Sequence, residues 1–212
     1  MSGVRAQYFV LDLTEPDAPA RLFEETQKRE LEIDTLINNA GFGSMGDFAK
    51  LDLAQELKMI DLNVRALLEL TYRFLAPMRE RKSGAIINVA STAGFQAVPF
   101  MGTYAATKAF VLSFSEALWE ENRPHGVKVM ALCPGATDTN FFEASRMQRP
   151  PGRISQTPDQ VVDVALRALK RGKGSVISGW TNRLMVETER VVPRKLVLRT
   201  AGAVMRSHNE KG

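Results

Sequence analysis

The chain has 212 residues, 44% hydrophobic and 25% charged, which is the composition of a globular protein with room for one α/β core. Its single cysteine, Cys133, excludes an internal disulfide and favours a reducing compartment. No apolar run is long enough to span a bilayer, and the first residues lack a signal-peptide pattern, so we expect a cytoplasmic protein.

Charge is divided unevenly along the chain. Residues 1–144 carry a net charge of −5, whereas residues 145–212 carry +9. The basic segment could meet an anionic cofactor, an acidic partner or, peripherally, a membrane surface, or it could be an ordinary solvated face. We expect no nucleic-acid partner.

Short apolar segments alternate with helical patterns. Strands are predicted at about 7–12, 33–38, 84–90, 127–133 and 174–179. Helices are predicted at about 16–30, 52–81, 102–122 and 157–172. This alternation predicts an α/β fold, a Rossmann-like doubly wound parallel sheet between two helical layers. We expect one domain over residues 1–180 and a basic helical tail at 181–212.

Polar residues stand where the predicted strands end. Asp12, Asn38, Ser91 and Pro134 each mark such a position. Because ligands of open parallel sheets bind outside the carboxyl ends of the strands, this rim is the predicted ligand site. The irregular segment 136–156 contains two adjacent prolines and is long enough to be a functional lid.

Tyr104 and Lys108 lie four positions apart in TYAATKAF. On a helix such residues share one face. An ammonium group beside a phenol favours the phenolate and lowers the pKa of the tyrosine, which could then donate and recover a proton near neutral pH. A pair of this kind also arises by chance, so its context has to decide its meaning.

Five motifs supply that context. In chain order they are the NNAG turn at Asn38–Gly41, Asn63 in DLNVRA, Ser91 in NVASTAG, Tyr104 with Lys108, and CPGATDT at Cys133–Thr139. Tyr104 follows Ser91 by thirteen residues. This order and spacing resemble the short-chain dehydrogenase/reductase family over roughly Tyr8 to Gly179. The resemblance implies an oxidoreductase that uses a nicotinamide cofactor.

Four catalytic residues are implied by the resemblance. Tyr104 would protonate a carbonyl oxygen as hydride arrives, and Ser91 would hydrogen-bond that oxygen. Lys108 would lower the pKa of Tyr104 and hold the ribose hydroxyls, and Asn63 would relay protons to Lys108 through a water. Plainer roles stay open, since Ser91 could cap a helix and Asn63 could satisfy backbone groups at a helix kink.

The resemblance also implies a cofactor. NADP is favoured over NAD because NNAGFG and YAATKAF look like segments of NADPH-dependent carbonyl reductases. The implied cofactor-binding residues are Asp12, Leu13, Asn39, Ala40, Gly41, Tyr104, Lys108, Pro134, Gly135, Thr137 and Thr139. Asp12 could instead cap a helix, and Gly41 could serve only a turn. No metal site is expected, since the chain has one Cys and two distant His.

The expected substrate is a ketone or secondary alcohol on an apolar body, such as an acyl, steroid-like or aromatic carbonyl compound. Apolar residues around the predicted pocket favour it, although they could equally belong to the core. They are Phe42, Phe95, Val98, Phe100, Met101, Phe141 and Phe142.

The first 40 residues depart from the family, because they lack the TGxxxGxG turn that seats the pyrophosphate. MSGVRAQYFVLDL looks like the family's third strand, so the segment ending at Asp12 would lack both partner strands. A start assigned too late, a truncated chain and a genuine short form stay open. Exposed edges and apolar patches would favour a homo-oligomer.

Two other functions are compatible with parts of the sequence pattern. A non-catalytic remnant of the family, acting as a binding partner, would have no cofactor affinity. A serine hydrolase needs a base near its nucleophile, yet His125 and His208 lie outside the strand-end loops and no G-x-S-x-G elbow occurs.

Overall fold

The computed structural model describes residues 6–145 and 155–209. Its helices are α1 (Ala18–Lys28), α2 (Leu53–Ile60), α3 (Leu67–Glu80), α4 (Gly102–Asn122), α5 (Phe141–Ala144), α6 (Pro158–Lys170), α7 (Trp180–Val191) and α8 (Arg194–Asn209). A π-helix, Asp61–Ala66, joins α2 to α3. The strands are β1 (Thr35–Asn38), β2 (Gly84–Val89), β3 (Val127–Cys133) and β4 (Ser175–Ile177).

The four strands form one parallel sheet in the order β1-β2-β3-β4. Asn38 pairs with Asn88, and Leu132 pairs with Val89 and Val176, so the carboxyl ends of the strands meet at one rim. Helices connect successive strands, as parallel pairing requires. The predicted α/β fold with a parallel sheet is confirmed, and four of the five predicted strands lie in it.

The predicted strand at about 7–12 is wrong. Residues 6–12 pair with no strand among the residues that the structure describes. Tyr8 and Val10 are 85% and 89% exposed. A strand needs a neighbour for its backbone N–H and C=O groups, and an apolar sequence alone does not provide one. The chain then turns at Asp12, whose carboxylate accepts hydrogen bonds from the backbone N–H and the hydroxyl of Thr14.

Helices pack on both faces of the sheet and build the core. On one face, α3 places Leu70, Phe74 and Met78 against Ile86 and Val129. On the opposite face, the apolar contacts join α6 to β2 and β3. They involve Val161, Ala165, Ala168, Ile87, Met130 and Leu132. The sequence sets the start of α6 through a capping box, in which Thr157 and Gln160 satisfy each other's backbone N–H groups.

A buried polar network fixes the register of the strands near the rim. The Asn38 amide donates to the Asn88 oxygen at 2.8 Å and to the Thr71 hydroxyl at 3.0 Å. The Asn88 amide donates to Ser115 at 3.0 Å, and Ser115 donates to the Val111 carbonyl of the same helix. The network therefore ties β1 and β2 to α3 and α4, the helices that carry the site.

The predicted basic tail at 181–212 forms most of α7 and α8 where it is described. Its separation from the rest as a unit of its own stays a prediction. Among residues 6–145 and 155–209, no helix is long and apolar enough to cross a membrane.

The predicted lid at 136–156 lies partly outside the described residues. Its two ends come together where Asp138 N donates to the Gln156 carbonyl and Gln156 N donates to that of Ala136, both at 2.9 Å.

Candidate active site

A cavity of about 1050 Å³ opens at the carboxyl rim of the sheet. Its walls include most of the residues that the sequence predicts for the site. These are Asn39, Gly41, Ser91, Tyr104, Lys108, Pro134, Gly135, Thr137 and Thr139. The fold therefore brings together residues that follow β1, β2 and β3, at the rim where ligands of parallel sheets bind.

Helix α4 places Tyr104 and Lys108 on one buried face. The Lys108 ammonium nitrogen lies 5.8 Å from the centre of the Tyr104 ring. It donates a hydrogen bond of 2.7 Å to the carbonyl of Val89, at the end of β2. Lys108 is thus anchored to the sheet, and the predicted pairing of the two residues on one helix face is observed.

The predicted lowering of the Tyr104 pKa is wrong for this structure. Burial, which disfavours the phenolate, raises the pKa of Tyr104 above its ordinary value, and interaction with the Ser91 hydroxyl offsets only part of that rise. The Tyr104 phenol therefore stays protonated at neutral pH. Burial also lowers the pKa of Lys108 to about 8, because the ammonium form loses its hydration.

Ser91 follows β2 in an extended conformation. Its hydroxyl accepts a hydrogen bond of 3.1 Å from Ala93 N and so caps the short turn Thr92–Gly94. The same hydroxyl interacts with Tyr104. Ser91 has the plainer capping role and also lies where it could meet a substrate oxygen beside the phenol.

Asn63 lies in the π-helix, the kink within the long predicted helical segment. Its amide donates to the Phe42 carbonyl at 2.9 Å and to the Thr107 hydroxyl at 3.1 Å, and its oxygen accepts from Phe42 N at 3.2 Å. Asn63 therefore holds the turn after β1 against α4. It lies behind the cavity wall rather than in it.

The turn at Gly41 forms a cradle beside Lys108. A Cβ atom on Gly41 would lie 2.9 Å from the Asn63 oxygen and 3.6 Å from the Lys108 ammonium nitrogen. Only a glycine leaves this space open and the backbone accessible. The residues present fit the ribose of a nicotinamide cofactor, because the buried Lys108 ammonium group beside this space can donate to the ribose hydroxyls.

Several predicted residues do not line the cavity. Asp12 is exposed, and hydrogen bonds from Thr14 lower its pKa. Leu13 packs against the core beneath α1 and α3, and Ala40 is exposed at the turn. Of the apolar residues predicted for the substrate, Met101, Phe141 and Phe142 line the cavity, whereas Phe42, Phe95, Val98 and Phe100 do not.

The structure adds wall residues that the sequence did not indicate. They include Thr92, Ala93, Asn140, five residues of α6 (Pro158, Val161, Val162, Ala165 and Leu166) and two of α8 (Val204 and Met205). The sequence of α6 contained a pattern that could have predicted its place in the wall. Val162 and Leu166 make its apolar face wider than one contact with the sheet requires. For α8 no signal existed, since its position depends on tertiary packing.

Gly135 lets the Asn182 side chain pack closely against its backbone, and we predict that the stability of the fold depends on this contact. A Cβ atom there would collide with the side-chain amide of Asn182, which donates a 2.7 Å hydrogen bond to the Ser178 carbonyl. We expect Gly135→Ala to lower the free energy of unfolding by about 1–3 kcal/mol through overpacking. Adding Asn182→Ala should recover part of this loss, as chemical denaturation of all three variants would measure.

Gly102→Ala is the matched control, because nothing lies within 4 Å of its Cβ position. It should change stability by less than about 0.5 kcal/mol. If the changes in the free energy of unfolding caused by Gly135→Ala and Asn182→Ala simply add in the double variant, the predicted collision between the two side chains does not occur.

Among the described residues, no group of three His, Cys, Asp or Glu side chains could hold a metal ion.

Comparison with known proteins places these features in a family. The model of the family described as short chain dehydrogenase matches residues 1–150. The ketoacyl reductase HetN of Nostoc sp. (strain PCC 7120) is 33% identical over 177 residues, which are 83% of this chain and 62% of that protein. The chain thus spans less than two thirds of that relative's length.

Solved structures agree. A structure from work on 7β-hydroxysteroid dehydrogenase stereoselectivity has a TM-score of 0.79 and 28% identity, covering 90% of this chain and 74% of that chain. A short-chain dehydrogenase from Sphingobium yanoikuyae in complex with NADPH has a TM-score of 0.74 and 32% identity, covering 80% and 66%.

Proposed function

This chain belongs to the short-chain dehydrogenase/reductase family, and we propose that it is an NAD(P)(H)-dependent oxidoreductase that reduces a ketone, or oxidises a secondary alcohol, on an apolar substrate. The observation that carries the proposal is the convergence of Ser91, Tyr104 and Lys108 on one rim cavity. Two relatives support this class of reaction, since one is named a ketoacyl reductase and the other a 7β-hydroxysteroid dehydrogenase.

The proposed roles follow from the protonation states. Tyr104 is a protonated phenol that donates its proton to the carbonyl oxygen, and the transfer is favourable because an alkoxide is a far stronger base than a phenolate. Ser91 hydrogen-bonds the same oxygen and stabilises its growing charge. A nicotinamide cofactor supplies the hydride when bound.

Asn63 and Lys108 act on the cofactor side of the site. Asn63 holds the Gly41 turn open through Phe42, and Lys108, anchored by Val89, donates to the ribose hydroxyls. The proposed contacts also include Asn39, Pro134, Gly135, Thr137 and Thr139. Asp12, Leu13 and Ala40 stay predictions, because they lie outside the cavity wall.

We propose NADP as the preferred cofactor and NAD as the alternative. The Sphingobium relative with NADPH supports this preference. Calorimetric titration of the chain with each nucleotide would measure it, and equal or tighter binding of NAD would reverse the assignment.

The function is tested by following NADPH absorbance while the chain is offered a panel of acyl, aromatic and fused-ring ketones. We expect turnover of at least one class and none with sugars, because Met101, Phe141 and Phe142 give the wall an apolar surface. Absence of both turnover and nucleotide binding would favour the alternative, a non-catalytic family member that binds another chain.

We further propose that the protein is a homo-oligomer. Large apolar side chains are exposed along α2, α3 and α4, at Ile60, Leu68, Tyr72 and Phe110. Such a surface is stabilised by burial against a second copy. Sedimentation velocity should show a dimer or larger species that Phe110→Glu weakens and Val191→Glu, at an exposed site of α7, does not. A concentration-independent monomer would disprove the proposal.

A further inference from the structure

Helices α7 and α8 expose large apolar side chains on one connected surface. Trp180, Leu184 and Val191 of α7 and Leu196 of α8 are each more than half exposed. The three residues of α7 follow one another at intervals of four and seven positions, which places them on one face of the helix. Trp180, Leu184 and Leu196 also line one groove between the two helices. We call these four residues the apolar patch.

The positive charge of this region lies on α8. Its sequence contains four basic residues and no acidic one, whereas α7 carries two residues of each sign. Lys195, Arg199 and Arg206 are exposed and recur at intervals of four and seven positions. They therefore form a basic stripe along one side of α8.

The basic stripe and the apolar patch meet at Leu196. Arg199 follows Leu196 by three positions, so their side chains are neighbours on the helix surface. The stripe lies outside the wall of the rim cavity, so an anionic cofactor bound in that cavity does not account for it. A partner that matches this surface has to be apolar and anionic at once.

We propose that the apolar patch and the basic stripe dock this protein onto an anionic lipid surface. The apolar side chains are stabilised at the boundary of the acyl chains, and the basic side chains are attracted by anionic headgroups. Trp180 suits this position, because an indole ring has an apolar body and a polar N–H and favours the headgroup level. The long stems of Lys195 and Arg199 let their charges reach the headgroups while the stems pack on apolar surface.

Charge complementarity favours lipid over a second copy of this chain as the occupant. Two copies that met through this surface would bring their basic stripes near each other, and like charges repel. An anionic bilayer instead attracts each Lys or Arg beside it, which lowers the dissociation constant about five-fold for each basic residue. The proposal is independent of the proposed carbonyl reduction at Tyr104.

Binding is measured by co-sedimentation of the chain with phospholipid vesicles. One set contains phosphatidylcholine and phosphatidylglycerol in equal amounts, and the other contains phosphatidylcholine alone. We expect binding to the anionic vesicles, weakened by added salt because ions screen the attraction, and little binding to the neutral ones. The fluorescence of Trp180 should shift to shorter wavelength as its ring leaves water. Trp180→Phe keeps an apolar ring and should bind without that shift, which separates Trp180 from Trp119.

Charge variants locate the basic contact. Lys195→Gln combined with Arg199→Gln should raise the dissociation constant for anionic vesicles roughly twenty-five-fold, from two basic residues. Lys28→Gln combined with Lys128→Gln is the matched control, because both lysines are exposed on other elements and the net charge changes equally. It should change the dissociation constant less than about two-fold, since the effect of distant exposed charges is screened.

Leu184→Ser tests the apolar contact. It should weaken vesicle binding about three- to ten-fold, because less apolar surface leaves water. Leu53→Ser is its control, since Leu53 lies on α2 and is 65% exposed, compared with 60% for Leu184. It should leave vesicle binding unchanged. Far-UV circular dichroism of every variant should match that of the unaltered chain, because all the substituted positions are exposed.

Several results would overturn the proposal. Equal binding to both kinds of vesicle, or binding to neither, would do so, as would anionic-vesicle binding that the Lys195 and Arg199 substitutions or Leu184→Ser leave unchanged. Binding to poly-L-glutamate in place of vesicles would assign the surface to an acidic protein. Lipid-free self-association that Leu184→Ser abolishes would assign it to a second copy. None of these measurements depends on ketone turnover, so failure of the proposed reaction and failure of lipid docking are distinguishable.

Discussion

Tyr104→Phe should lower kcat for ketone reduction by roughly 10²–10⁴, the range that a positioned general acid contributes. The variant keeps the ring, which packs 5.5 Å from the ring of Phe141, and removes only the proton donor. Nucleotide affinity should change by less than about three-fold, since Lys108 and the Gly41 turn are untouched. Because burial raises the pKa of Tyr104 above 10.0, its ionisation should not reduce the rate at any pH near neutrality.

Tyr72→Phe is the control for this experiment. Tyr72 lies on α3, is 77% exposed and contributes nothing to the cavity wall. The same loss of a hydroxyl group there should leave kcat unchanged. Near-normal turnover of Tyr104→Phe, measured by NADPH absorbance at saturating ketone, would show that the proton comes from another group.

Lys108→Met should abolish most of the activity and yet stabilise the fold at neutral pH. Burial lowers the pKa of Lys108 from 10.5 to about 8, which means that the charged ammonium form destabilises the folded state relative to the unfolded chain. A shift of this size corresponds to a loss of about 3 kcal/mol in the free energy of unfolding at neutral pH. The hydrogen bond from Lys108 to the Val89 carbonyl offsets part of that loss. Methionine fills a similar volume without a charge, and the variant should unfold at higher denaturant concentration.

The free energy of unfolding should depend on pH through the Lys108 ammonium group. Between pH 8 and 10.5 the unfolded chain binds the Lys108 proton more tightly than the folded chain does, so stability of the unaltered protein rises with pH across this window. The advantage of Lys108→Met should be full below pH 8 and vanish above 10.5. Urea denaturation at several pH values would measure it.

Lys128→Met is the matched control, because Lys128 is exposed on β3. It should change stability by less than about 0.5 kcal/mol, at every pH. Destabilisation by Lys108→Met at pH 7 would mean that the ammonium group stabilises the fold. It would contradict the prediction that the buried charge lowers the free energy of unfolding.

Local sequence determined the elements that carry most of the site. The predicted helix at 102–122 and the strand at 127–133 have the observed bounds, because their periodicity and their flanking turns agree with their burial. Motif spacing was equally informative for Ser91, Tyr104 and Lys108, which all line the rim cavity. Such features depend on residues close in sequence, or on the rule that parallel strands end at one rim.

Tertiary structure decided what depends on partners and on solvent. The segment 7–12 has strand-like residues but no neighbouring strand among those described, so its hydrogen bonds are not made within a sheet. The Tyr104 pKa was predicted to be lowered by the charge of Lys108, yet it is raised, because burial removes the phenol from water and disfavours the phenolate. A cavity lined by Gln96, Val98, α7 and α8 exists only where these two helices pack near segment 96–98. Burial and contacts between distant segments are properties of the whole packed chain, and no local pattern contains them.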